Sequence, residues 1–190
     1  MKRILRMATA AALAALIAAC AGTGGSGGAG GGAIEGVAGK TVYTQRNLWV
    51  IQGEHEATNY RMGEMIPVNS KVRIEGTGRR TIEATALDSG RSFTIVNVAE
   101  YTRQDIRGIY DRYFGASPVD MSGFTADERR AIEAGRVERG MSKDAVLIAR
   151  GYPPAHATAS IEQDEWRFWK GRHNTVLVRF DDGRVSSIKD

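Results

Sequence analysis

The sequence predicts an α+β protein in which a β-rich unit is followed by two helices and a small antiparallel sheet. Short β-type runs separated by turn residues fill most of residues 40–98. Two helical segments with start and stop signals follow between residues 124 and 151, and three further β-type runs complete the chain. The roughly 150 residues after a glycine-rich tract suffice for one ordinary domain or two small ones.

The strands of the first unit are indicated by alternation of apolar and polar residues. "SKVRIEG" places Val72 and Ile74 on one face and Arg73 and Glu75 on the other. "RTIEATAL" and "RSFTIVNV" are two more extended runs, and "DSGR" between them suits a tight hairpin. Because no helix separates these short strands, we expect a small curled sheet or barrel.

The first unit is predicted to end in an amphipathic helix, "YTRQDIRGIYDRYFG". Thr102 and Asp105 have the spacing of a capping box, and Gly115 is placed to end the helix as a C′ residue. One apolar face repeats at helical spacing and is expected to pack over the sheet: Ile106, Ile109, Tyr110 and Tyr113.

Two short helices open the second unit. Thr125 and Glu128 have capping-box spacing in "FTADERRAIEAG", and Gly135 is a stop signal. In "GMSKDAVLIARGYPP", Ser142 is the expected N-cap, and Gly151 is expected to end the helix in the left-handed αL conformation before two prolines.

The last three β-type runs, "EWRFWK", "TVLVRF" and "RVSSIK", predict an antiparallel meander, and Asp182-Gly183 is a strong hairpin turn. A three-stranded sheet covered by two helices has one buried face. Five residues share that face and are the predicted core: Trp166, Phe168, Val176, Val178 and Phe180.

The amino-terminal segment has the plan of a secretory signal. Three basic residues precede an apolar stretch, residues 8–19, which is shorter than the roughly 20 residues that span a bilayer. "IAAC" resembles the lipobox of bacterial lipoproteins, which implies cleavage between Ala19 and Cys20 and a lipid on Cys20. Ala21, which is not Asp, implies transfer to the periplasmic side of the outer membrane. The alternative is an ordinary signal peptide with an incidental cysteine.

Glycine dominates the segment after Cys20, and we expect residues 20–39 to be a lipidated, flexible tether. Its 19 residues after the cysteine would reach on the order of 25 Å as a random coil. Removing the three basic residues of the signal from the net charge of +4 leaves +1 for the mature chain. Without a clustered basic stripe, nucleic-acid binding is not expected.

The motifs of the second unit occur in an order that resembles the SmpA/OmlA (BamE-type) outer-membrane lipoproteins, over residues 130–190. The resemblance implies a domain of two helices and three antiparallel strands (ααβββ) and an accessory, protein-binding role in β-barrel outer-membrane protein assembly. The matching positions are Ile132, Gly135, Gly140, Met141, Val146, Gly151, Pro153, Trp166, Phe168, Asp182 and Gly183.

The first unit is similar to a different module. "NLWVI…TNYRMGEMIPVNSKVRIE" looks like an SH3-like module that stands before such domains in some bacterial lipoproteins. The expected organisation is a signal peptide (1–19), a lipidated tether (20–39), an SH3-like β-barrel module with a C-terminal helix (40–117) and a SmpA/OmlA domain (121–190).

A partner-binding surface is predicted on the side of the last sheet that faces away from the core. Alternation places Arg167 and Trp169 there, close to the hairpin that carries Arg172 and His173. A large aromatic side chain beside an arginine is typical of contact hot spots. The alternative is that the upstream module covers Trp169.

No catalytic pattern is found, and the protein is expected not to be an enzyme and to need no cofactor besides the lipid. His55, His156 and His173 are far apart and lack the spacing of zinc ligands. The expected partners are the outer membrane, through the anchor, and an envelope-assembly protein. Binding of cell wall or peptide by the SH3-like module, and inhibition of an enzyme, are the alternatives.

Overall fold

The computed structural model describes residues 32–57, 61–171 and 173–190, and it confirms the α+β class. The chain forms two units, each with its own hydrophobic core. The signal segment, Cys20 and the tether up to residue 31 lie outside the described residues.

A curled six-stranded sheet forms most of the first unit. Its strand order is β3-β7-β6-β5-β1-β8, while β2 and β4 pair as a separate two-stranded ribbon. The strands are β1 (Thr41–Thr44), β2 (Leu48–Val50), β3 (Glu54–Glu56), β4 (Glu64–Ile66), β5 (Lys71–Thr77), β6 (Thr81–Ala86), β7 (Arg91–Val96) and β8 (Phe114–Gly115).

The alternation that predicted β5 corresponds to the observed faces. Val72 and Ile74 are fully buried, whereas Arg73 and Glu75 face solvent and pair with each other at 3.0 Å. The turn between β6 and β7 contains Gly90 at a φ of +66°, a conformation that glycine adopts without steric cost. The predicted hairpin is therefore confirmed.

Two helices, α1 (Ala99–Thr102) and α2 (Ile106–Tyr113), take the place of the single predicted helix. Asp105, not Thr102, caps α2, because its carboxylate accepts a hydrogen bond from the Gly108 N–H at 2.8 Å. Thr102 ends α1 and donates its hydroxyl to Asn97 Oδ1. The expected packing face is confirmed, with Ile106, Ile109 and Tyr113 buried and Tyr110 partly buried.

Gly115 does not cap α2, which corrects the prediction made for it. The helix ends at Tyr113 because Phe114 turns into an extended conformation, and Phe114 and Gly115 then pair with β1. The sheet thus provides the hydrogen bonds that a left-handed cap would otherwise have made.

The end of the predicted tether is also part of the fold. Ile34 and Val37 are buried in the first core, and the Ile34 N–H donates to the Thr77 hydroxyl at 2.8 Å. The Gly39 N–H donates to the Ile74 carbonyl. Ordered structure therefore begins before Lys40, because two apolar side chains among the glycines can be buried against the sheet.

The second unit consists of two helices followed by a three-stranded antiparallel sheet with the order β11-β10-β9. The elements are α3 (Ala126–Glu133), α4 (Lys143–Arg150), β9 (Glu165–Trp169), β10 (Thr175–Asp181) and β11 (Arg184–Lys189). Asp182 and Gly183 both have positive φ, 48° and 71°, in the hairpin between β10 and β11. This turn was correctly predicted.

Caps define both helices of the second unit. Thr125 and Glu128 form the predicted capping box, and the Ser142 hydroxyl accepts a hydrogen bond from the Ala145 N–H. Gly135 has a φ of +60° just after α3. Gly151 has φ 92° and ψ −175°, so its positive φ is confirmed but the predicted αL conformation is wrong.

Glu128 also joins the beginnings of the two helices. One carboxylate oxygen accepts the Thr125 N–H at 2.9 Å, and the other accepts the Ser142 N–H at 2.8 Å. Burial acts to raise the pKa of Glu128, but these hydrogen bonds outweigh it and bring the pKa to about 2. The carboxylate therefore remains charged while it is only 4% exposed.

The predicted core of the second unit is confirmed. Trp166, Phe168 and Val178 are completely buried, and the Trp166 indole N–H donates to the Gln163 carbonyl at 2.9 Å. Burying side chains of this size stabilises a domain by roughly 1.5–3 kcal/mol each. The two helices cover this face of the sheet and leave the other face open.

A polar seam joins the two units, with Asn47 at its centre. The buried Asn47 amide donates to the carbonyls of Ile132 (2.6 Å) and Ala149 (3.2 Å), and its oxygen accepts the Val68 N–H at 2.8 Å. The backbone N–H of Asn47 donates to the Ile148 carbonyl. A single residue between β1 and β2 therefore binds the carboxyl-terminal ends of both α3 and α4.

Candidate protein-interaction face

The candidate site is the side of the β9–β11 sheet that the helices do not cover, called the open face from here on. In β9 the residues alternate between exposed or half-buried positions and completely buried ones. The open face consists of Glu165, Arg167, Trp169, Thr175, Leu177, Arg179, Ser187 and Lys189.

Leu177 occupies the centre of the open face. It lies opposite Arg167 on one side and opposite Lys189 on the other. Side chains directly opposite each other in an antiparallel pair have Cβ atoms about 4.5–5.5 Å apart, so these three residues form one row. Leu177 is half-buried and belongs to neither hydrophobic core. The row therefore has an apolar centre between two cations.

The two cations of this row are without counter-ions. Arg167 and Lys189 are exposed, and neither side chain makes an ion pair with residues 32–57, 61–171 or 173–190. The neighbouring row differs, because Arg179 pairs with Glu165 at 2.9 Å. The centre of the open face thus has an uncompensated positive charge of two.

Trp169 lies at the edge of the open face instead of its centre. Its ring contacts His156 in a tilted arrangement with centroids 5.1 Å apart, and His156 makes a similar tilted contact with Tyr101 of α1 at 4.8 Å. The upstream unit therefore reaches Trp169 through His156, and Trp169 is left half-buried. Trp169 thus lies on the open face, as alternation predicted, and is also partly covered by the upstream unit, as the alternative stated.

The remaining two predicted surface residues are in the β9–β10 hairpin. His173 is exposed there, and Arg172 lies outside the described residues. The sequence prediction missed Leu177 and Lys189. A parity argument could have found Leu177, because it stands between Val176 and Val178 and must therefore point away from the core.

A buried arginine supports the open face from beneath. Arg150, at the end of α4, donates Nη2–H to the Trp169 carbonyl at 3.1 Å, and its guanidinium lies 4.8 Å from the Phe168 ring centroid. Burial, and to a lesser extent the nearby Arg61, lowers the pKa of Arg150 to about 9. Arg150 therefore holds the backbone of β9 at its last residue, Trp169, at the edge of the open face.

A second cationic cluster lies in the seam between the units. Two guanidinium groups contact the Tyr152 ring, with Arg112 Cζ 4.2 Å and Arg46 Cζ 4.6 Å from its centroid. The Arg46 Nε–H donates to the Arg112 carbonyl, and burial lowers the pKa of Arg46. The conformation of Gly151 carries Tyr152 to this position. The cluster joins the units through cation–π contacts.

The histidines do not converge on a site. His55 is buried, and its Nδ1 lies 2.9 Å from the Trp49 carbonyl, so that nitrogen carries the proton in the neutral ring. Burial lowers the pKa of His55 to about 4. Within the described part of the chain, no three His, Cys, Asp or Glu side chains are grouped so that they could hold a metal ion.

A cavity of about 280 Å³ lies beside the ribbon of the first unit. Trp49, Ile51 and the β3 carboxylates of Glu54 and Glu56 line it. Pockets for drug-sized ligands usually measure about 300–1,000 Å³, so this cavity is slightly smaller than that range. It could hold one side chain of a peptide.

Among the residues that the structure describes, no helix has the length and hydropathy needed to cross a bilayer. The chain matches no family model, no characterised protein and no solved structure.

Proposed function

We propose that this protein is a non-catalytic adaptor, anchored to the outer membrane by a lipid on Cys20, that binds a protein partner in envelope biogenesis through the open face. The most direct candidate for the partner is a subunit of the β-barrel assembly machinery. In this proposal the second unit is a SmpA/OmlA-type ααβββ domain and the first is an SH3-like module.

The observation that carries the proposal is the difference between the open face and its surroundings. An exposed or half-buried sheet face with an apolar centre and unpaired cations leaves favourable contacts unmade in the isolated chain. Hot spots of protein interfaces are enriched in tryptophan, tyrosine and arginine, and the open face contains Trp169 and Arg167. The resemblance of residues 130–190 to SmpA/OmlA lipoproteins supports a role in outer-membrane protein assembly.

The anchor and the tether give the binding face a physical advantage. A lipid-anchored module explores only a thin layer next to the membrane, so its effective concentration toward a membrane-bound partner is high. A second candidate function is peptide or cell-wall binding by the first unit, which the small cavity beside Trp49 favours.

Site-specific photo-crosslinking in intact cells tests the proposal. The full-length chain carries the crosslinker at Thr175, which lies opposite Trp169 on the open face and leaves Leu177 in place. Leu87, which is 38% exposed on the first unit, is the matched control position. We expect an envelope-biogenesis protein to be captured from Thr175 and not from Leu87.

Capture of the same proteins from both positions, or of none from Thr175, would contradict the use of the open face. Mass spectrometry of the mature protein tests the anchor separately, because an unmodified Cys20 or an intact signal segment would remove it from the proposal.

A further inference from the structure

We infer that the segment that docks on the open face is an acidic stretch of the partner protein with one apolar side chain near its middle. This inference rests on the proposed function and names the chemistry of the partner.

The charge of the open face determines the sign of the occupant. Along the central row, Arg167 and Lys189 lie on either side of Leu177 and make no ion pair with any residue that the structure describes. A basic or neutral segment laid over this row would leave two cations desolvated without a counter-ion, which is costly. Carboxylates of the partner that reach both Arg167 and Lys189 would offset this desolvation cost by forming two ion pairs.

The apolar centre of the row adds the second requirement. Leu177 is half-buried, lies opposite Arg167 and Lys189 in the sheet, and belongs to neither hydrophobic core. A partner side chain placed on it removes apolar surface from water on both molecules, at roughly 25 cal/mol per Å². One apolar residue flanked by acidic ones therefore matches the row in charge and in hydropathy.

A membrane surface is a poorer match for the same face. Each basic residue near an anionic bilayer contributes only about 1 kcal/mol, and lipid-binding patches usually hold about 4–8 of them. The open face has two unpaired cations, and carboxylates lie on or beside it in Glu165, Asp181 and Asp190. These carboxylates would be repelled by anionic headgroups, whereas an acidic segment of limited width can pass between them.

The experiment maps the peptide that the crosslinker at Thr175 captures in intact cells, using the full-length chain. We expect the captured segment to be acidic over about ten residues and to contain an apolar residue. Arg167→Glu combined with Lys189→Glu should lower the crosslinking yield at least tenfold. Both positions are exposed, so a thermal melt should show an unchanged fold.

A matched variant controls for net charge. Lys71→Glu combined with Arg79→Glu makes the same change at two exposed positions of the first unit and should leave the yield unchanged. Reversing the acidic residues of the mapped segment to lysine should restore crosslinking to the doubly reversed chain. That restoration would not occur if Arg167 and Lys189 were merely structural.

The failures of the two proposals are distinguishable. Capture of a neutral or basic segment from Thr175 overturns the inference and leaves the open face as the interface. If no protein is crosslinked from Thr175, both the acidic segment and the use of the open face as the interface are contradicted. Binding of the purified chain to vesicles of anionic phospholipid, lost in the doubly reversed variant, together with lipid crosslinks at Thr175, would replace the acidic segment by the membrane.

Discussion

The two faces of the β9–β11 sheet are built from the same three strands and differ in almost every physical property. The inner face contains Trp166 and Phe168, which are completely buried. The outer face contains Arg167 and Trp169 from the same strand, and they are exposed and half-buried. The comparison shows that position in the fold, and not residue type, decides whether a side chain of this sheet is buried or remains at the surface.

Tryptophan provides the sharpest test of this comparison. Trp166→Ala removes a fully buried ring and should lower the free energy of unfolding by about 3–5 kcal/mol. Trp169→Ala, at the edge of the open face, should cost no more than about 1 kcal/mol, the scale of one aromatic pair. Urea denaturation of both variants measures the difference. If both variants lost the same free energy of unfolding, the two faces would be equally well shielded from water, and the comparison would be wrong.

Asparagine extends the comparison to polar groups. Asn47→Ala leaves the carbonyls of Ile132 and Ala149 and the Val68 N–H without their partner. We therefore expect the free energy of unfolding to fall by about 2–3 kcal/mol. Asn174→Ala, at an exposed position of the β9–β10 hairpin, should change stability by less than about 0.5 kcal/mol.

Limited proteolysis distinguishes the cause of the Asn47 effect. Because Asn47 joins the two units, its loss should expose cleavage sites in the connection between residues 116 and 123 before global unfolding. A variant that unfolds in a single step without such cleavage would contradict the role of the seam.

Glutamate adds a pH dependence to the comparison. Glu128→Gln should destabilise the protein by about 1–2 kcal/mol at neutral pH, because the buried carboxylate accepts two backbone N–H groups. The pKa of Glu128 is about 2 in the folded state and 4.5 ordinarily, so the unfolded state binds the proton more readily. The advantage of the wild type should therefore be complete above pH 4.5 and disappear as the pH falls toward 2.

The matched control is Glu165→Gln, which removes a carboxylate whose side chain is 47% exposed and pairs with Arg179 across the open face. Its effect on stability should stay below about 1 kcal/mol, as for other surface ion pairs. A larger loss from Glu165→Gln than from Glu128→Gln at neutral pH would reverse the comparison.

Leucine gives the smallest effect on folding and the most specific effect on binding. Leu177→Ser should change the free energy of unfolding by less than about 0.5 kcal/mol, the range of surface substitutions. The same variant should lose most of the crosslinking from Thr175. Val176→Ser, one residue away on the inner face, should destabilise the chain instead. Thermal melts and crosslinking yields of the two variants provide both readouts.

The elements that the sequence predicted correctly depend on local chemistry. The caps at Thr125 and Ser142 each bind an N–H group three residues away, and the Asp182-Gly183 turn needs only two residues that tolerate positive φ. The errors at Gly115 and Gly151 lie where distant residues compete, whereas the Thr102 hydroxyl bonds Asn97, which is close in sequence. Strand β1 pairs with Gly115. After Gly151, the Tyr152 ring contacts Arg46 and Arg112.

The candidate site was predictable in part. Alternation along one strand identified Arg167 and Trp169, because a strand directs successive side chains to opposite faces. The central role of Leu177 depends on which residues face it across the sheet, and the register of β10 with β9 and β11 is set only when the sheet assembles. The contacts of His156 with Trp169 and with Tyr101 likewise require the two units to dock.

By itself, the sequence determined the α+β class, the core of the second unit, the caps at Thr125 and Ser142 and the Asp182-Gly183 turn, because alternation, capping and turn preferences act over a few neighbouring residues. Only the tertiary structure decided how the units join through Asn47, where the tether ends and what lies at the centre of the open face. Those features are contacts between residues far apart in the chain, which local preferences do not specify.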